Sequence, residues 1–160
     1  MNFDAAFDLL ITHEGGFSNR PLSDDPGGAT MYGVTEKVAR ANGYTGRMQD
    51  LTLNFAKQVY RKQYWDACQC EAMPESIRYP LFDAAVNSGP GQAIKWMQAA
   101  AGVKADGVIG PMTKSAVAVS NHAVLRQQMI GRRLAFMTGL SNWPANARGW
   151  SRRIASLLQM

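Results

Sequence analysis

Two cysteines and two histidines in 160 residues leave little material for a metal site or a disulfide framework. Cys68 and Cys70 are separated only by Gln69, and His13 and His122 have no second ligand at metal spacing. Free thiols are therefore expected, and neither a metal nor any other cofactor is implied. Hydrophobic residues make up 46% of the chain, yet no uncharged apolar run approaches the length of a membrane span. The first residues carry Asp4 and Asp8 where a secretory leader would carry basic residues, so there is no recognisable signal peptide and accumulation in the producer's cytoplasm is expected. No Ser/Gly/Pro-rich stretch marks a linker, and 160 residues suffice for one domain with a sizeable core.

Acidic residues are missing from the last third. Residues 1–106 hold 10 basic and 12 acidic side chains, whereas residues 107–160 hold 7 basic and none acidic. The seven are Lys114, Arg126, Arg132, Arg133, Arg148, Arg152 and Arg153. Such a field attracts polyanions, whether nucleic acid, anionic lipid, lipopolysaccharide or bacterial wall. The arginines do not repeat along one helix face and no nucleic-acid motif accompanies them, so specific nucleic-acid binding is not expected.

The apolar pattern is mainly helical. Phe3, Phe7, Leu10 and Ile11 mark one buried face of a helix opened by Asn2 as N-cap. Thr52 caps a helix reaching about Tyr64, Leu81 to Val86 lies on another that Asn87-Ser88-Gly89-Pro90 ends, and Gly91 to Ala101 forms a third. Asp106-Gly107 makes a turn, and Gly110-Pro111 opens the next helix with proline in its first position. Ala123 to Gly139 and Ala145 to Leu158 complete the set. On the last of these, Trp150, Ile154, Leu157 and Leu158 form an apolar side while Arg148, Arg152 and Arg153 occupy other angles, which reads as an amphipathic cationic helix. Trp65, Trp96, Trp143 and Trp150 read as packing anchors. Short strands fit only within residues 16–35 and near Asn42-Gly43.

One acid breaks the pattern. Glu14 continues the apolar stripe of the first helix, where an unpaired carboxylate is costly. Burial and the negative end of the helix, which Gly15 or Gly16 would cap, both favour its protonated form. A carboxylic acid that keeps its proton near neutrality is what protonation of a glycosidic oxygen requires. Asp24 and Thr30 follow ten and sixteen residues later, with Pro26-Gly27-Gly28 between them to turn the chain back. A second carboxylate facing the first across roughly 6.5–9.5 Å would activate water in an inverting glycosidase. The competing readings are a structural carboxylate at position 14 and an ordinary Asp-Asp-Pro-Gly turn.

Glu14-Gly15-Gly16-Phe17, Asp25-Pro26-Gly27-Gly28-Ala29-Thr30, Tyr32-Gly33-Val34-Thr35 and Phe82-Asp83-Ala84-Ala85-Val86-Asn87-Ser88-Gly89 resemble the signatures of glycoside hydrolase family 108, N-acetylmuramidases common among bacteriophage endolysins. Residues 93–118 are similar to the peptidoglycan-binding region that follows in that family, with Asp106-Gly107-Val108-Ile109-Gly110-Pro111-Met112-Thr113 as its signature. The resemblance implies a mainly α, lysozyme-like α+β fold with a small β-hairpin near the active-site cleft. It implies a catalytic region over 1–90 and a peptidoglycan-binding-like helical lobe over 91–160; because no linker precedes the lobe, it reads as integral to a single domain rather than as a freestanding binding module. It makes Glu14 the catalytic acid; Asp24 or Asp25, or neither, takes the second role, with Thr30 assisting. Tyr32, Asp83 and Asn87 then line the cleft, the first stacking on a pyranose and the others holding hydroxyl or acetamido groups.

The expected function is hydrolysis of the β-1,4 bond between N-acetylmuramic acid and N-acetylglucosamine by a monomer, leading to bacterial lysis. A phage holin would give it access to the wall, and the basic region would add contacts to anionic outer-membrane or wall components. Scarce metal ligands argue against the zinc amidase route to the same polymer. A lytic transglycosylase, which also needs one Glu, and a non-catalytic wall-binding protein are the alternatives.

Overall fold

The computed structural model describes residues 1–12 and 29–160, so Glu14, Asp24 and Asp25 lie outside the described residues. Two compact units are present, Asn2–Gln63 and Tyr64–Met160, the second also including Met1. The described secondary structure is mainly helical with one small antiparallel sheet, as expected.

In the first unit, α1 (Phe3–Ile11) is capped by the Asn2 side chain, whose oxygen accepts from the Ala5 N–H at 3.0 Å. Phe3, Phe7 and Leu10 are buried on its inner face, each contributing ~1.5–3 kcal/mol relative to exposure. Strands β1 (Thr30–Met31) and β2 (Val34–Thr35) pair with Thr30 opposite Thr35 and Met31 opposite Val34. Their two-residue loop, Tyr32-Gly33, has φ of 51° and 74°, the mirror-image turn whose twist suits a hairpin. Thr35 then serves as N-cap of α2 (Glu36–Ala41), so the hairpin feeds directly into a helix. Asn42-Gly43 ends α2 and is not a strand, because Asn42 N–H still bonds back to the Val38 and Ala39 carbonyls. Thr52 caps α3 (Leu53–Tyr60), which continues as a six-residue π-helical turn, Arg61–Asp66.

In the second unit, α4 (Glu75–Ser88), α5 (Pro90–Ala100) and α7 (His122–Thr138) pack on one another, and α8 (Trp143–Leu158) packs on α7. Helix α6 (Pro111–Val119) begins with proline at its first position. The core includes Trp65, Phe82, Met97, Leu125, Met129 and Met137, with the Trp65 and Phe82 rings edge to face at 5.5 Å. Trp96 is also buried and Trp143 and Trp150 pair at 5.9 Å, consistent with packing roles. Cys68 and Cys70 are free and buried. No helix among the described residues is long and apolar enough to cross a membrane.

Candidate functional site

The elements on either side of residues 13–28 are fixed to each other inside the first unit. Tyr60, buried on α3, donates its hydroxyl hydrogen to the Tyr32 carbonyl at 3.1 Å and meets Phe7 of α1 edge to face at 5.6 Å. The Lys57 ammonium pairs with Asp4 at 2.9 Å, and its bond and charge hold that carboxylate below the usual aspartate range. Helix α1 therefore enters the Glu14 segment, and β1 leaves it, from a common support on α3. Nothing in the sequence pattern marks Tyr60 for this beyond an apolar helix position carrying a polar tip.

Thr30 is half-buried on β1, and Tyr32 is half-buried at the hairpin tip with left-handed backbone. Positive φ in a bulky residue is strained, and such strain gathers where local geometry matters. The structure thus brings Thr30 and Tyr32 together on one hairpin.

Asp83 has a different environment from the one expected. It is fully buried on α4, with Arg133 Nη1 of α7 donating to one carboxylate oxygen at 2.5 Å and Arg153 Nε of α8 donating to the other at 2.7 Å. A carboxylate with both oxygens engaged by guanidinium and no solvent access is a packing group, and this corrects its reading as a sugar ligand. Asn87, one turn later, is exposed; its side-chain oxygen accepts from the Ser88 hydroxyl at 3.3 Å. Asp83 and Asn87 are four residues apart on one helix, but α4 ends at Ser88, so burial changes within one turn.

The same cluster sets Arg153 apart from the other cations of α8. Arg153 is a part-buried partner of Asp83, while Arg148 and Arg152 are exposed. Ile154 and Leu157 are buried, Trp150 is half-buried and Leu158 is exposed.

Beyond α5, the signature over residues 106–113 is organised by one side chain that the pattern did not single out. Gln98 is 1% exposed. Its amide nitrogen donates to Asp106 Oδ1 at 2.8 Å, the Val108 carbonyl at 2.9 Å and Thr113 Oγ1 at 3.1 Å, while its oxygen accepts from the Gly107 N–H at 2.8 Å. The Val108 N–H, first, and the Gln98 amide hold the Asp106 carboxyl below the usual range. Gly107, at φ 83°, is required there: a Cβ would lie 3.2 Å from the Gly91 carbonyl oxygen.

Comparison with known proteins agrees with this architecture. The Glycosyl hydrolase 108 family model matches residues 7–89, and the model described as "Predicted Peptidoglycan domain" matches residues 92–155. A solved structure titled "Structure of Brucella abortus SagA" superposes with a TM-score of 0.87 at 30% identity, covering 98% of this chain and 91% of that one. No curated protein matches. The fold is lysozyme-like. The chain belongs to the glycosyl hydrolase 108 family and is a glycoside hydrolase acting on peptidoglycan, with peptidoglycan as its binding partner.

Proposed function

We propose that this protein is an N-acetylmuramidase that cleaves the β-1,4 bond between N-acetylmuramic acid and N-acetylglucosamine and thereby lyses bacteria. The observation that carries the reading is the pairing, in one short chain, of a glycosyl hydrolase 108 match with a peptidoglycan-domain match. Glu14 acts as the general acid toward the glycosidic oxygen. Asp24 or Asp25 activates the attacking water, Thr30 helps to orient it, and Tyr32 and Asn87 contact the glycan. The strained hairpin tip and its Tyr60 support favour this use of the β1–β2 loop. The catalytic region spans 1–90 and the helical lobe 91–160.

Digestion of purified wall followed by mass analysis of the fragments tests the reaction. Reducing N-acetylmuramic acid ends are expected; anhydro ends would make the protein a lytic transglycosylase, and intact wall would make it a binding protein. Glu14→Gln should abolish cleavage while the fold persists, and appreciable hydrolysis by that variant would remove Glu14 from the mechanism. Asp24→Asn or Asp25→Asn should lower turnover by about 10²–10⁴, the usual contribution of general-base assistance. Full rates in both would leave Glu14 acting with a water held by other groups.

A further inference from the structure

The first unit contains a cavity of about 220 Å³ lined by Asn42, Phe55, Gln58, Val59 and Lys62. Four of these residues recur at i, i+3, i+4 and i+7, so one face of α3 and the turn after it builds most of the wall. Lys62 sits on the π-helical turn Arg61–Asp66, a rare conformation found frequently at functional sites. Its ammonium is exposed and has no carboxylate partner among the described residues.

The chemistry of the lining is specific. Asn42 donates one amide hydrogen to the Val38 carbonyl at 2.8 Å, which leaves its amide oxygen and its second N–H to offer a ligand. Gln58 is exposed and brings a second carboxamide, and a pair of carboxamides matches the donor and acceptor of a peptide group. Val59 and Phe55 supply an apolar floor. The Phe55 ring is already engaged with Tyr44, at 5.1 Å and 49°, which disfavours its use as a free stacking platform for a sugar. The volume is below that of drug-sized pockets and suits a small fragment rather than a helix or a lipid surface.

We infer that this cavity is a subsite for the peptide stems of peptidoglycan: it takes a short N-acylated peptide, pairs its amide with Asn42 and Gln58, and holds its carboxylate at Lys62. The inference rests on the peptidoglycan reading above and adds a contact to the stem as well as to the glycan.

The test is an NMR titration of the full ¹⁵N-labelled chain with N-acetylmuramoyl-L-alanyl-D-isoglutamine, and with the same compound after its carboxylate is converted to a carboxamide. Saturable shifts are expected at Asn42, Phe55, Gln58 and Lys62. Affinity should fall about fivefold for the carboxamide probe and for Lys62→Met, the scale of an exposed charge contact. Lys62 is exposed, so the variant's unperturbed spectrum serves as the folding control; Gln58→Ala should also weaken binding. Absence of shifts at these residues, or equal affinity for both probes and in Lys62→Met, would overturn the proposal. Wall digestion by the native chain separates the two readings. Cleavage without these shifts rejects the subsite alone, and binding without cleavage rejects the hydrolase reading while the subsite stands.

Discussion

Replacing Asp83 by Asn removes one negative charge from between two guanidinium groups and changes little else in shape. The Asp83 and Arg133 side chains are 1% and 2% exposed, and Arg153 is 16% exposed, so solvent cannot compensate Arg133 for the loss. Arg133 already has Nε and Nη2 buried without hydrogen-bond partners among the described residues, which leaves Asp83 as its main source of electrostatic relief. Breaking a buried pair from one side costs about 3–5 kcal/mol, a large share of the roughly 5–15 kcal/mol by which such domains are stable. All four tryptophans, at 65, 96, 143 and 150, lie in the same unit as this cluster, so their fluorescence reports on it during urea unfolding. With a slope of about 1–3 kcal/mol per molar, the midpoint should fall by at least about 1 M. Arg152→Gln, on the exposed side of α8, is the control and should stay within about 0.5 kcal/mol of the native chain. A loss under about 1 kcal/mol in Asp83→Asn would equal that of a surface pair and refute the argument that the cluster binds α4, α7 and α8 together.

Gln98→Leu should destabilise the second unit by about 2 kcal/mol or more, since the Gly107 N–H and the Val108 carbonyl lose their partner; an unchanged urea midpoint would refute that role. Asp106 has its folded pKa lowered, so its stabilising contribution is complete above the ordinary aspartate value of 3.8 and is lost as pH falls through the folded value. The stability difference between the native chain and Asp106→Asn should therefore be constant from neutral pH to about pH 5 and shrink only in stronger acid; a difference that disappears by pH 5 would contradict it. Arg148→Gln with Arg152→Gln should weaken binding to whole cells at low salt more than at high salt, because exposed charges are screened, and a salt-independent effect would exclude an anionic partner for α8.

The helical architecture was legible because most elements carry both a period and a cap. Asn2, Thr52 and Pro111 each stand where the structure uses them, at or just inside a helix start. The sequence pattern shows only Leu81 to Val86 of α4, which starts at Glu75; Pro80 lies inside it, where proline normally breaks a helix, so the first turns carry no clear signal. Helix α2 is six residues long, too short to show a period of its own. The hairpin lay within the expected region, but its Tyr32-Gly33 turn carries a weaker signal than the Asn-Gly or Asp-Gly pairs that mark such turns. Asp83 and Arg153 were misplaced for a shared reason. Spacing along one helix tells which side chains share a face, but whether that face meets solvent or a charged residue 50 or 70 positions away is decided by tertiary packing. A usable signal was present for Arg133 nonetheless: it lies on the stripe Leu125, Met129, Ile130, Met137, and an arginine on a buried stripe demands a buried anion. Gln98, four residues after Ile94 on α5, carries the same kind of signal for a hydrogen-bonded node.

That node changes what the Asp-Gly-x-x-Gly-Pro-x-Thr signature means physically. Its Asp106 carboxylate, through Oδ1, and its Gly107 N–H, Val108 carbonyl and Thr113 hydroxyl all converge on Gln98, so these groups have a structural role within the turn. The signature is therefore a folding device that sets how the chain leaves α5 and enters α6, and its presence says that the helical unit is correctly built. We propose that affinity for peptidoglycan in this unit comes from residues outside the signature. In this unit those include Lys114, Arg132, Arg148 and Arg152, all exposed and without an acidic partner among the described residues. Substitution within the signature should accordingly act through stability, with wall binding lost only as the unit unfolds. Substitution of the exposed cations should act on binding while the urea midpoint stays in place. Measuring both properties on Gln98→Leu and on the Arg148, Arg152 pair separates the two contributions, and loss of binding in a fully folded Gln98→Leu protein would return the signature to direct glycan contact.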